Sequence, residues 1–197
     1  MKVDLEHLHY WMCAVRESDD PMRTLDAFWS GQIRSKEWLI NELEVLNLPS
    51  SSIEIHGGWV GVLASMLFQS KLSIQNIVSV DIDPHVQFIA EEMNRIEHSQ
   101  DRFRAETSNM TNRYPVTNVI INTSCEHITQ GEYDVWLSHM FDDQLLVLQS
   151  NNYDIPEHVR IAQTLDEFVE QANLSTIKFK GELDLPLYKR FMVIGYK

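Results

Sequence analysis

The sequence predicts an α/β fold: a mostly parallel, seven-stranded sheet covered by helices on both faces, with further helices at the N-terminus. Five short apolar runs bounded by turn residues alternate with helical patterns, as buried parallel strands do. Two later strand-like segments, "STIKFKGEL" and "YKRFMVIGY", are joined by a few residues that contain Pro186, which predicts an antiparallel hairpin. The five apolar runs are residues 51–56, 76–82, 102–107, 116–122 and 145–150.

Residue types mark several helix starts. In "DPHVQFIAEEMNRI", Asp83 is a candidate N-cap and Pro84 would be the first helical residue. In "TLDEFVEQA", Thr164 and Glu167 have the spacing of a capping box. Residues 24–46 predict one or two helices, with Ser35 as a candidate N-cap. Since no linker or repeat is apparent, we expect one domain over residues 1–197, with residues 1–48 as a helical cap packed on the same core.

The composition is typical of a globular protein. Hydrophobic residues make up 44% and charged residues 23%, and no apolar run approaches the roughly 20 residues that a membrane helix needs. The N-terminus lacks the basic start and continuous apolar middle of a signal peptide. Cys13 and Cys125, the two cysteines, do not indicate a disulfide framework. We therefore expect a cytoplasmic protein that does not associate with membranes.

The charge argues against nucleic acid as a partner. Lysine and arginine total 16 against 29 acidic residues, which gives a formal net charge of −13, and no long basic run is present. Binding to phosphate backbones draws its affinity largely from clustered lysine and arginine. We expect a small molecule or a protein as the substrate; self-association into a homo-oligomer stays open.

The stretch "IEIHGGWVG" places three of the seven glycines within five positions directly after a predicted strand. Glycines between a strand and a helix expose backbone amides to a ligand, although a tight turn that needs positive φ is the alternative. Asp81 lies at the end of the second predicted strand, about 20 residues further on, where a carboxylate receives ribose hydroxyls in nucleotide-binding α/β folds. This paired spacing predicts a ligand that contains a nucleoside.

Two stretches, "IEIHGGWVGVLA" and "VSVDIDPHVQFIAEEMN", resemble the first two motifs of the class I, S-adenosylmethionine-dependent methyltransferases. The C-terminal hairpin is similar to the reversed seventh strand of that family. The resemblance implies a Rossmann-like three-layer sandwich, S-adenosylmethionine as cofactor, and methylation of a small molecule or a protein side chain. Aminopropyl or aminocarboxypropyl transfer, and a noncatalytic role in cofactor binding or assembly, remain alternatives because fold does not decide function.

The resemblance also implies a set of cofactor-binding residues. Glu54 matches the acidic residue that closes the first strand, and Ile82 would pack on the adenine. Asn109 stands where many members have an aspartate that contacts the adenine amine. His56 and Trp59 depart from the usual glycine pattern of the family. The implied cofactor residues are Glu54, Gly57, Gly58, Trp59, Gly61, Asp81, Ile82, Asn109, Met110, Asn122 and Thr123.

The densest group of reactive side chains, "NTSCEHI", follows the fourth predicted strand. His127 is the candidate general base for an acceptor that must lose a proton, and Glu126 could orient it or attract a cationic substrate. A structural role for His127 is the alternative, and Cys125 is interpreted as a packing residue. A metal site of His127 with His139 or His158 is conceivable, but the spacing matches no known metal motif, so no metal is predicted.

Two further segments supply candidate substrate contacts. In "FWSGQIRSKEWL", Gln32 and Lys36 could touch the ligand, because the counterpart of this segment in the family often covers the cofactor. The alternative is a surface helix with a buried aromatic face. After the fifth strand, Asn151, Asn152, Tyr153 and His158 would border the substrate opening, since loops at this edge select substrates. The alternative there is an ordinary polar loop.

Overall fold

The protein is built around a single seven-stranded sheet. A computed structural model describes residues 4–48 and 50–197. The strand order is β3-β2-β1-β4-β5-β7-β6; neighbours from β3 to β5 are parallel, and β7 is antiparallel to both β5 and β6. This arrangement confirms the predicted fold class. The strands are β1 (Ser52–His56), β2 (Asn76–Asp81), β3 (Phe103–Thr107), β4 (Val119–Asn122), β5 (Leu145–Asn151), β6 (Thr176–Asp184) and β7 (Lys189–Tyr196).

Helices cover both faces of this sheet. Successive residues of a strand point to opposite faces, and Ile120 and Ile121 of β4 accordingly belong to two different buried apolar clusters. The Ile121 cluster includes residues of α1, α3, α4 and α5, whereas the Ile120 cluster includes residues of α7 and α8. The helices are α1 (Leu5–Glu17), α2 (Pro21–Asp26), α3 (Ser30–Leu46), α4 (Val62–Phe68), α5 (Gln87–Met93), α6 (Arg95–Ser99), α7 (Gln130–Ser138) and α8 (Leu165–Ala172).

Two of the predicted helix starts are corrected by the structure. The helix expected from Pro84 begins at Gln87, because the Asp83 carboxylate accepts a hydrogen bond from the backbone N–H of His85 at 2.9 Å and forms a local turn. Ser35 is not an N-cap; it lies inside α3, where its hydroxyl donates to the carbonyl of Gln32 at 2.9 Å. The Asp83 side chain stabilises a turn in place of the first turn of the helix, whereas the Ser35 side chain forms its hydrogen bond within the helix.

The predicted start of α8 is confirmed, with one difference. The Thr164 hydroxyl accepts from the backbone N–H of Glu167 at 3.2 Å, as an N-cap does. The Glu167 carboxylate, however, accepts from the backbone N–H of Gln163 at 2.7 Å rather than from that of Thr164. The reciprocal bond of the capping box is therefore shifted by one residue.

The N-terminal helices pack on the core of the sheet. Trp11 of α1 is buried, and its indole N–H donates to the hydroxyl of Ser65 in α4 at 2.8 Å. Arg23 of α2 forms an ion pair with Asp83 at 2.7 Å, just after β2. Among residues 4–48 and 50–197, no helix combines the length and the apolar character that crossing a bilayer requires.

The glycine loop, residues 57–61, packs against β2 and α5. Gly57 and Gly61 have φ of +67° and +79°, backbone conformations that residues other than glycine rarely adopt. A Cβ on Gly58 would lie 1.9 Å from the Ser79 hydroxyl oxygen, and one on Gly61 would lie 3.1 Å from the backbone of Ala90. A side chain at Gly58 would therefore point into β2 and not into the space of a ligand bound by the loop.

We predict that Gly58→Ala lowers the free energy of unfolding by about 1–3 kcal/mol, as overpacking typically does. The Ser79→Ala background should reduce this cost, because the closest atom is then gone and the nearest remaining atom is the Ser79 Cβ, 3.2 Å from the added methyl group. Chemical denaturation of the four proteins of this double-mutant cycle measures the coupling.

Gly131→Ala serves as the matched control, since a Cβ at this position of α7 meets no atom within 4 Å. That variant should be neutral or slightly more stable than the wild type. If Gly58→Ala lowers the free energy of unfolding equally in both backgrounds, contact with Ser79 is not the reason that position 58 requires glycine.

Candidate functional site

A cavity of about 650 Å³ lies at the carboxyl ends of β1, β2 and β4. Ligands of open α/β sheets bind at this edge. Of the residues expected from the sequence, those that line the cavity are Gln32, Lys36, Gly57, Gly58, Trp59, Asp81, Ile82, Asn109, Met110, Thr123, Glu126, His127 and His158. The expected residues outside its lining are Glu54, Gly61, Asn122, Asn151, Asn152 and Tyr153.

A second depression, of about 810 Å³, lies at the opposite edge of the sheet. It is lined by residues that precede β1 and β2, such as Asn47, Ser51 and Ser73, and it is more open to solvent. We place the candidate site in the smaller cavity despite its volume, because that cavity combines the glycine loop with charged side chains from several elements.

Asp81 fastens the glycine loop to the end of β2. Its Oδ2 accepts from the backbone N–H of Trp59 at 2.8 Å, and its Oδ1 accepts from the backbone N–H of Asp83 at 3.0 Å. A carboxylate offers about four lone-pair sites, so further hydrogen bonds from ligand hydroxyls remain available. The next residue, Ile82, is 68% exposed although it lines the cavity, which leaves an apolar surface that a flat ring could cover.

The segment after β3 forms another wall of the cavity. The Asn109 amide oxygen accepts from the backbone N–H of Thr111 at 2.9 Å, so it stabilises its own turn. The side chain of Asn122 is fully buried; its amide N–H donates to the Met110 sulfur at 3.4 Å and its oxygen accepts from the backbone N–H of Ser124 at 2.9 Å. Asn122 therefore shapes the turn after β4 from behind the cavity wall.

Glu54 belongs to a buried network beneath the glycine loop. Its Oε1 accepts from His56 Nε2 at 2.8 Å and from Arg113 Nε at 3.0 Å. His56 Nδ1 in turn accepts from the Trp136 indole N–H at 2.6 Å, which leaves the ring proton on Nε2. Burial alone would raise the pKa of Glu54, but the hydrogen bonds from His56 and Arg113 outweigh it and lower that pKa. Glu54 and His56 thus support the loop from inside the core.

Glu126 is held on the other side of the cavity by two neighbours. Its Oε1 accepts from Arg190 Nη1 and from the Asn151 amide N–H, each at 2.6 Å, whereas its buried Oε2 has no hydrogen-bond partner. Arg190 also donates to the carbonyl of Thr123. The sequence analysis missed Arg190, although a charged residue directly before the apolar run of β7 was a usable signal. Asn151 reaches the cavity only through Glu126.

His127 and His158 face each other beside Glu126. Their rings pack edge to face with centroids 4.8 Å apart, and both line the cavity. His127 Nδ1 lies 3.1 Å from the carbonyl oxygen of Glu157, and His158 Nδ1 lies 2.6 Å from that of Tyr153. A carbonyl only accepts, so each Nδ1 carries a proton and each neutral ring keeps a lone pair on Nε2. The base role expected of His127 stays a prediction.

Two residues of the loop after β5 make structural contacts outside the cavity. The Asn152 amide oxygen accepts from the backbone N–H of Lys189 at 2.7 Å. The Tyr153 ring stacks on that of Tyr188, with centroids 5.3 Å apart. Direct substrate contacts by these two side chains are therefore not supported by this structure. Cys125 is fully buried, and burial raises the pKa of its thiol to about 12, which fits the expected packing role.

Lys36 is a buried amine in the part of the cavity wall that α3 contributes. Only 8% of its surface is exposed, and its Nζ donates to Gln32 Oε1 at 2.7 Å. Burial and, to a smaller extent, the charge of Arg190 lower the pKa of Lys36 to about 7. The amine can therefore offer either a positive charge or a free electron pair near neutral pH.

We predict that Lys36→Met stabilises the protein and that the gain depends on pH. Because the pKa of Lys36 in the folded state, about 7, lies below its ordinary value of 10.5, the folded protein disfavours the charged amine. This penalty is complete below about pH 7 and disappears as the pH rises towards 10.5. Chemical denaturation at pH 6, 8 and 10 should show a gain that shrinks with pH.

Lys71→Met is the matched control, because the Lys71 side chain is 90% exposed. This variant should change the free energy of unfolding by a small amount that stays nearly constant over the same pH range. A Lys36→Met gain that is independent of pH would contradict the lowered pKa.

The similarity of this chain to known proteins is one of three-dimensional structure. No protein-family model matches the chain, and no curated sequence matches it. Magnesium protoporphyrin IX methyltransferase (ChlM) from Synechocystis PCC 6803, with bound S-adenosyl-L-homocysteine (SAH), superposes on this chain with a TM-score of 0.67 at 13% sequence identity. The match covers 98% of this chain and 95% of that one. N-methyltransferase NodS from Bradyrhizobium japonicum WM9 in complex with SAH gives 0.65 at 12% identity, over 95% and 99%.

A third neighbour, MtNAS in complex with MTA and tNA, has a TM-score of 0.58 at 14% identity, over 97% of this chain and 70% of that one. At sequence identities of 12–14%, the structural similarity to these three proteins establishes the fold alone. The order of the seven strands and the reversed β7 agree with it. The chain therefore has the fold of the class I methyltransferases, as its glycine loop and second-strand motif predicted.

Proposed function

We propose that this protein binds S-adenosylmethionine and transfers its methyl group to a small molecule or a protein side chain. One observation carries the proposal: a single cavity has the glycine loop and Asp81 on one side and Glu126, His127 and Arg190 on the other. The fold supports it, since ChlM and NodS, which share this architecture, were crystallised with SAH. Donor and acceptor would meet between the two sides.

The first side suits the nucleoside part of the cofactor. Asp81 would receive ribose hydroxyls on the lone pairs that the amides of Trp59 and Asp83 leave free. The exposed apolar side chain of Ile82 would cover one face of the adenine. The volume, about 650 Å³, falls in the range of about 300–1,000 Å³ that is common for small-molecule sites.

The second side suits the acceptor. Methyl transfer from a sulfonium requires an in-line nucleophile held close to the methyl group, so fixed polar groups are needed around it. Glu126 and Arg190 hold each other in place through a hydrogen bond, and Lys36 with Gln32 adds an amine and an amide from α3. We assign these four side chains to binding and orienting the polar groups of the acceptor. A small molecule is favoured, because they lie inside a cavity rather than on an open face.

Transfer of an aminopropyl or aminocarboxypropyl group, or cofactor binding without turnover, would use the same cavity. Cofactor labelled in its methyl group separates these outcomes. Label in the acceptor identifies methyl transfer, and label retained on the sulfur-containing product identifies transfer of another group. Binding without any turnover on a broad panel of small molecules would favour the noncatalytic role.

We predict that Asp81→Asn weakens SAH binding by roughly tenfold to hundredfold, equivalent to about 1.5–3 kcal/mol, because a neutral amide replaces a carboxylate that would accept two hydroxyls. Isothermal titration calorimetry with SAH measures the change. Asparagine preserves the shape of the side chain and keeps one oxygen for a loop amide, so the fold should be retained.

Asp142→Asn is the control, since Asp142 is exposed in the turn before β5. It should bind SAH as the wild type does. Equal affinity of wild type and Asp81→Asn, with both proteins folded by circular dichroism, would remove Asp81 from the ribose site. Failure of the wild type itself to bind SAH or S-adenosylmethionine would overturn the proposed function.

A further inference from the structure

Three potential metal ligands from two separate segments meet at the acceptor side of the cavity. Glu126 and His127 follow β4, and His158 lies in the segment between β5 and α8; one ligand atom from each lies within 4.8 Å of the others. Within residues 4–48 and 50–197, this is the one group of three histidine, cysteine or acidic residues with such spacing. All three residues line the cavity.

Both histidines are oriented as metal ligands usually are. A ligating histidine commonly donates the proton of its other ring nitrogen to a carbonyl or carboxylate, which fixes the ring and directs a lone pair at the metal. Here the Nδ1 atoms of His127 and His158 are each paired with a backbone carbonyl, at 3.1 and 2.6 Å. The Nε2 lone pairs are thereby the free ones in both rings.

The carboxylate supplies an independent indication of a ligand. Glu126 is only 3% exposed, and Arg190 and Asn151 satisfy its Oε1 but leave its buried Oε2 without a partner. A buried carboxylate oxygen without a hydrogen bond is costly. A cation bound between this oxygen and the two imidazoles would satisfy it, while Arg190 and Asn151 keep the carboxylate oriented.

We propose that Glu126, His127 and His158 bind a divalent transition-metal ion such as Zn²⁺. Two imidazole nitrogens and one carboxylate oxygen form a ligand set that suits zinc and its neighbours in the first transition series, and three protein ligands leave a coordination position open. That position would face the cavity and receive an oxygen or nitrogen atom of the acceptor. With metal–ligand distances of about 2.0–2.2 Å, binding must draw the three ligand atoms closer together.

Two consequences follow from this assignment. The Nε2 lone pair of His127 cannot bind a metal and accept a proton at once, so metal binding would replace the base role expected from the sequence. Arg190 partly offsets the charge of Glu126, which should weaken the attraction for a cation relative to a site with an unpaired carboxylate. The inference does not depend on the cofactor proposal, because the metal can be titrated without the cofactor.

The test is calorimetric titration of the chelator-treated full chain with Zn²⁺, together with visible spectra after addition of Co²⁺. The wild type should bind one equivalent, and the Co²⁺ protein should show the absorption of nitrogen and oxygen coordination. His127→Ala and His158→Ala should each weaken Zn²⁺ binding at least tenfold, since even residues that only orient ligands change metal affinity by about 10- to 100-fold. Both side chains are partly exposed, so these variants should fold.

His139→Ala is the matched control, because His139 also pairs its Nδ1 with a backbone carbonyl, that of Arg113, but lies outside the cluster. It should bind Zn²⁺ within threefold of the wild type. No binding of one equivalent by the wild type, a loss below tenfold in either cluster variant, or a similar loss in His139→Ala would overturn the inference. SAH titrations of the same samples report on the cofactor proposal separately.

Discussion

The contact between the glycine loop and the end of β2 is the interaction on which the candidate site depends. Gly58 donates to the carbonyl of Val80 at 3.1 Å, and the next backbone amide, that of Trp59, donates to Asp81 at 2.8 Å. With both bonds formed, the loop lies directly on Ser79, and any side chain at position 58 would collide with the Ser79 hydroxyl. The packing that brings two strand ends together therefore also fixes the backbone and the carboxylate that would meet a nucleoside.

The acceptor side is organised by a different constraint, the burial of charge. Glu126 follows β4, Asn151 ends β5 and Arg190 lies in β7, so their hydrogen bonds join three strand ends at one carboxylate. Buried charges that are paired and hydrogen-bonded hold their geometry, whereas removing one partner leaves the other uncompensated. The reversed strand β7, which distinguishes this sheet from a fully parallel one, thus contributes directly to the site.

Much of the fold could be predicted from the sequence, because alternating apolar runs and helical patterns are local signals. The glycine loop and Asp81 were also recognisable, since their spacing reflects neighbouring strands. The environments of His56 and Arg190 could not be predicted, because each depends on contacts between residues far apart in the chain. His56, which interrupts the glycine pattern, bonds Glu54 and Trp136 in the core, and the latter lies 80 positions away.

A crystal structure of the protein with SAH tests the central claim most directly, namely that the two sides of one cavity hold donor and acceptor. We predict ribose hydroxyls within hydrogen-bond distance of the Asp81 carboxylate, adenine against Ile82, and the sulfur atom directed towards Glu126 and His127. SAH bound at the opposite edge of the sheet, near Asn47, or bound in the cavity without contact to Asp81, would contradict it.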